Sequence, residues 1–146
     1  MYEILKHAHS GLRWIVLILL VVAIVTAWQN TSKKETYEPK EQRLALFTLI
    51  VSHLQLLLGL VLFFISPMVQ FTSETMGNAV MRFFTVEHTT GMALAIALIT
   101  IGYSRAKRQA PSAKGFKTLA TFYALGLLLI LISIPWPFRG LGAGWF

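Results

Sequence analysis

TVEHTTGMALAIALITIGYSRAKR, residues 85–108, decides the solvent in which this chain folds. Crossing the hydrocarbon core of a bilayer takes about 20 helical residues, and the run from Phe83 to Tyr103 supplies them. A carboxyl and an imidazole, Glu87 and His88, stand side by side at its entrance, and Arg105, Lys107 and Arg108 close it. The rest of the chain has the same character. Of its 146 residues 55% are hydrophobic, 13% are charged and none is Asp, whereas a soluble domain carries roughly a quarter of its residues charged. Mean hydropathy is +0.64.

Four apolar runs are long enough to span, at about 4–28, 44–66, 83–103 and 116–134. Backbone polar groups in lipid must be paired within their own segment, so each run reads as helix. Ser66-Pro67 ends the second and Ile134-Pro135 the fourth, because proline has no N–H with which to continue. The expected architecture is all-α: one integral membrane four-helix bundle over residues 1–146. The first run is too long for the core of a cleaved leader and lacks a small-x-small exit, so it reads as a retained span.

Charge sets the expected orientation. Lys33, Lys34, Lys40 and Arg43 lie between spans one and two; Arg105, Lys107, Arg108, Lys114 and Lys117 lie between spans three and four. The other side has only Lys6, Arg13, Arg82 and Arg139. The positive-inside rule then puts both basic loops in the cytoplasm and both termini outside, as in a multi-pass protein of the bacterial inner membrane. On this reading the net charge of +7 reports topology and gives no sign of nucleic-acid binding. Its secondary use is attraction to anionic lipid. With no Cys in the chain, thiolate metal sites, disulfides and covalent haem attachment are excluded. The segment GLGAGWF follows no strand and opens no helix, so it is no phosphate loop; it reads as an interfacial tail with Trp145 and Phe146 in the headgroup region.

The histidines carry the chemistry. Ionisable groups inside spans are costly, usually face the protein interior and mark sites. At a rise of about 1.5 Å per residue, His9 lies roughly 8 Å in from Ile4 and His88 roughly 8 Å in from Phe83, while His53 lies roughly 18 Å from Ile65, near the midplane. His9 and His88 thus share a level. Two imidazoles at one level on different helices suit axial ligation of a b-type haem. Gly91, three residues beyond His88, offers room for a ring, and Arg13, Arg82 and Arg139 are expected to meet the propionates. His7, two residues from His9, points about 200° away and reads as interfacial. Glu87 reads either as a proton acceptor near a quinol or as an ion-pair partner of Arg82. His53 and Gln55 are candidate contacts for a quinone or another substrate ring. A di-iron carboxylate site would need several buried Glu, and only Glu87 approaches the membrane. AHSGLRWIVLIL and EHTTGMALAIAL open spans one and three alike, a faint internal repeat.

KHAHSGLRWIVLILL, SHLQLLLGLVLFF, RFFTVEHTTGMALAIALITIGYSRAKR and the closing ISIPWPFRGLG resemble a group of small four-span bacterial membrane proteins described as cytochrome b-like. The chain is more distantly similar to one four-helix half of haem A synthase, whose middle-helix Gln-x-x-x-Gly motif matches Gln55 to Gly59. That resemblance implies axial positions at His9 or His7 and at His88. It departs from the family in having half the spans and no Glu-x-x-His-Arg signature in span one. The function expected from residues and resemblance together is a membrane b-type cytochrome, passing electrons to or from a quinol or a respiratory partner. Two other classes remain open: a cofactor-free accessory subunit of a larger membrane respiratory or transport complex, marked by helix-packing small residues, and a haem-modifying or haem-handling enzyme.

Overall fold

The computed structural model describes residues 1–33 and 36–145. Lys34 and Phe146, which the sequence assigns to a basic loop and to the tail, lie outside the described residues, as does Glu35. Four helices are long and apolar enough to cross a membrane: α1 (Tyr2–Lys33), α2 (Pro39–Ile65), α3 (Ala79–Gln109) and α4 (Lys114–Ser133). Among the described residues there is no β-strand.

Two of the helices start well ahead of the apolar runs of the sequence because local chemistry opens them in polar flanks. Pro39 opens α2 at its first turn, where a missing N–H costs nothing. Asn78 opens α3, its Oδ1 accepting from the N–H groups of Val80 and Met81 at 3.0 and 3.1 Å. The stops fall where proline requires: α2 ends before Ser66-Pro67 and α4 before Ile134-Pro135.

Each helix packs on its chain neighbours, and α4 closes the ring against α1. The seam between α3 and α4 is the most extensive, and α2 with α3 forms the loosest of the four. Glycine makes the tight seam possible. A Cβ on Gly126 would lie 2.7 Å from Ile99 Cγ1 and 3.3 Å from the carbonyl of Ala95, so the α4 backbone rests directly on α3, as small residues permit between membrane helices. Leu20, Ile99, Phe116, Tyr123 and Ile134 fill the core. Tyr123 donates its hydroxyl to the carbonyl of Ala45 at 2.7 Å, tying α4 across to α2. Buried Thr48 and Ser52 return their hydroxyls to carbonyls one turn back, at 2.8 and 2.7 Å, which satisfies them without water. Ile18, Leu57, Phe64, Leu128 and Ile132 face outward and exposed, the pattern of a bundle solvated by lipid.

The two ends of the bundle differ. At one, the α1–α2 and α3–α4 loops are stitched together: the Tyr37 N–H donates to the carbonyl of Pro111 at 2.8 Å, and Thr36 pairs with Ser112. The Tyr37 ring is buried edge-on against Phe116. Both basic loops therefore share one end. At the other, Tyr2 meets Ser66 and the segment after α4 folds back over α1. Arg13 Nη2 and Trp14 Nε1 both donate to the carbonyl of Trp145, at 2.7 and 3.2 Å. The Trp145 ring stacks on Trp14 and tilts against Trp136. The free interfacial tail expected of GLGAGWF is, as far as Trp145, a strap over the end of the bundle.

Candidate functional site

His88 owes its aim to a wide turn. Residues Phe83–Glu87 are wound as π-helix, and the His88 N–H donates to the carbonyl of Phe83, five residues back. Thr89 repeats the spacing, its hydroxyl donating to the carbonyl of Phe84 at 3.0 Å. Such bulges insert one residue into an α-helix and recur at functional positions. Here His88 is turned inward, while Glu87 faces out and accepts from Arg82 Nε at 2.8 Å.

The end of α4 fixes the ring. A helix leaves its last carbonyls without partners, and prolines at 135 and 137 remove two of the N–H groups that might follow. Side chains take their place. Trp136 Nε1 donates to Leu131 O at 2.8 Å, Arg139 Nη1 to Ile132 O and Ile134 O at 2.9 and 3.0 Å, and His88 Nδ1 to Ser133 O at 2.8 Å. A carbonyl oxygen only accepts, so Nδ1 carries the proton and Nε2 is left with its lone pair. A ring N–H donated to a backbone carbonyl in this way orients metal-binding histidines and fixes their tautomer.

His9 is held from α2. Gln55 Nε2 donates to the His9 carbonyl at 2.8 Å. One turn on, Gly59 leaves room for the imidazole, since a Cβ there would stand 3.1 Å from His9 Cε1. The centroids of the His9 and His88 rings are 6.4 Å apart with planes at 73°. No hydrogen bond joins them.

Space surrounds the pair. On the side towards the middle of the bundle lies a cavity of about 80 Å³, walled by Val16, Ser52, Gln55, Leu56, Met92 and Ile96. On the side of the chain ends a vestibule of about 360 Å³ opens between Tyr2, Lys6, Ser10, Leu62, Ser66 and Pro135, with residues 141–144 as one wall. Both volumes touch His9, Arg13, Gly59, Phe63, His88 and Thr89. Three polar atoms on this wall, His9 Nδ1, Arg13 Nε and Gln55 Oε1, are buried without a hydrogen-bond partner. Buried polar groups are nearly always satisfied, so three orphans around one space mark it as a place for something polar or metallic.

The structure sorts the residues the sequence singled out. His9, His88, Arg13 and Gln55 converge. His53 does not line this space: it lies two residues from Gln55, with Nδ1 donating to Leu49 O at 2.9 Å and Nε2 beside Thr100 Oγ1 at 3.5 Å. Gly91 does not face it either; Ser133 fills the place where its Cβ would stand. Arg82 is bound to Glu87 and to Met76 O. Arg139 caps α4 and lies 4.7 Å over the Phe83 ring. Neither arginine lines the cavity or the vestibule. His7 is exposed, 3.9 Å from Glu3. Two contributors escaped the sequence reading: the carbonyl of Ser133, which the Pro135/Pro137 spacing could have signalled, and Lys6. Among the described residues no three His, Cys, Asp or Glu side chains gather as a metal site; the centre is a pair of imidazoles. Comparison with protein-family models, with curated proteins and with solved structures gives no match.

Proposed function

We propose that this chain is a membrane b-type cytochrome that holds one haem between His9 and His88. The observation that carries the reading is the separation of the two rings. Two imidazoles holding one metal atom between them would stand roughly 6 Å apart from centroid to centroid, and these lie 6.4 Å apart. Rings in direct hydrogen bond would be closer. A ligand pair with no third protein donor suits a metal whose remaining positions are filled by a macrocycle. The resemblance to small cytochrome b-like proteins points the same way.

In this reading His88 presents Nε2, with Nδ1–H anchored on Ser133 O, and His9 presents its ring from α1, steadied by Gln55 and Gly59. The bound haem supplies a one-electron iron couple. The chain's own part is to fix the ligands and to exclude water with the apolar wall of Val16, Leu56, Met92 and Ile96. The positive-inside rule turns the site towards the outer face of a bacterial inner membrane, where a quinol or a redox protein exchanges electrons at the vestibule. Gln55 Oε1, in the wall of the inner cavity, offers an acceptor to a quinol hydroxyl that reaches that depth. His53, set apart beside Thr100, is a separate candidate for quinone contact within the bilayer.

The dithionite-reduced spectrum of the purified protein tests the proposal. A sharp alpha band with a six-coordinate Soret is expected, lost in the His9→Ala, His88→Ala pair. Full haem retention in that double variant overturns the assignment. A colourless preparation that co-purifies with a larger complex would establish the accessory-subunit reading instead.

A further inference from the structure

We infer that the vestibule is a carboxylate-binding mouth, in which Lys6, Ser10 and the unpaired Nε of Arg13 hold the acidic edge of the macrocycle seated between His9 and His88. The inference rests on the haem reading above and concerns which residues receive the ligand's acids.

Lys6, His9, Ser10 and Arg13 follow one another at i, i+3, i+4 and i+7 on α1, so they form one stripe along one helix face. All four line the vestibule. Arg13 is only 9% exposed. Its Nη2 is spent on Trp145 O, but Nε has no acceptor. A guanidinium N–H buried without an acceptor is expensive, and an acid arriving through the mouth would satisfy it. Lys6 pairs with Glu3 at 2.5 Å, which uses one of the three donors of its ammonium. Glu3 also borders the mouth and is itself largely exposed, so its charge is screened by water. Leu62, Phe63, Phe84 and Pro135 complete the wall. The space therefore asks for a body that is apolar along its flanks and acidic at its open edge. Arg82 and Arg139, already committed to Glu87 and to the end of α4, are left out.

The full chain, prepared free of haem in detergent, is titrated with ferric protoporphyrin IX and with its dimethyl ester, and the low-spin Soret band is followed. Charge-assisted hydrogen bonds are the strong ones, so the ester is expected to bind about tenfold more weakly. Lys6→Gln should bring the free acid towards the ester and leave the ester unchanged, while Arg82→Gln changes neither. Equal binding of acid and ester by the native chain overturns the carboxylate mouth and leaves the histidine ligation standing. An undiminished gap in Lys6→Gln overturns the part given to Lys6. Failure of both porphyrins to give a low-spin band overturns the ligation, and the mouth with it.

Discussion

Gln55 and His9 are joined through the main chain: the amide of one donates to the carbonyl of the other at 2.8 Å, from α2 to α1. Gly59, on the same face of α2, leaves room for the ring of the same histidine. Together they hold His9 by its backbone and its imidazole, and they pin α2 to α1 at the height of the site.

Removing either half of that clasp should move His9 without unfolding the protein. Gln55→Leu forfeits one hydrogen bond, about 1 kcal/mol, and Gly59→Val drives a side chain into the imidazole. On the haem proposal, both variants are expected to retain pigment through His88 but to gain a high-spin fraction, read in the ferric spectrum and by electron paramagnetic resonance. An unchanged low-spin signal in both would show that His9 is not held in this way.

Gly91 and Ser133 form a lock between α3 and α4. Gly91→Ala places a methyl group on the Ser133 hydroxyl and should cost about 1–3 kcal/mol by overpacking, seen as a lower Tm in detergent. Because Ser133 also gives its carbonyl to His88, the same variant should disturb that imidazole. Ser133→Gly in the Gly91→Ala background should restore most of the loss, since residues in contact couple strongly. Additive penalties would argue against the lock.

The arginines near the site should separate by role. Arg82→Gln breaks a half-exposed pair with Glu87 and should cost less than about 1 kcal/mol. Arg139→Gln strips donors from the carbonyls of Ile132 and Ile134 and should cost about 1–3 kcal/mol, lowering Tm. Pigment content per folded protein should be unaffected by both. Loss of pigment in Arg82→Gln, with Tm unchanged, would return that residue to the site.

At the opposite end, burial against Phe116 pushes the Tyr37 phenol up to about 12. The neutral ring is the form that the fold accepts. Its contribution is therefore complete below the ordinary phenol range near 10 and disappears as pH rises from about 10 through about 12. Tyr37→Phe, whose native hydroxyl is buried without a partner, should match or exceed the native Tm at pH 7. It should also lose less stability than the native chain between pH 9 and 12. Parallel pH profiles for the two proteins would contradict this.

The sequence makes the four spans legible because lipid allows so few alternatives. Their ends were less so: Asn78 starts α3 from within polar sequence, where hydropathy falls silent. The shared level of His9 and His88 could be counted, because rise per residue is constant. Their surroundings could not. From sequence Arg139 reads as a partner for a ligand's acids, but prolines 135 and 137 leave orphan carbonyls closer to hand. His53 and Gln55 looked like one site until the helix turned them apart. The stack of Trp14, Trp136 and Trp145 joins the two ends of the chain and has no periodicity to betray it. Nor does sequence pattern announce the π turn before His88.

That turn makes the direction of His88 separable from the position of its helix. Rewinding Phe83–Glu87 as ordinary α-helix with every residue kept would swing everything on one side of it by roughly 100° relative to the other. The span would still cross the bilayer and its hydropathy profile would hardly change. The imidazole and the loop that leads into it would nevertheless no longer share a bearing. A one-residue gap at this spot in a related chain would take up that difference, and is thus the expected mark of a bundle that crosses with ordinary winding and keeps its centre.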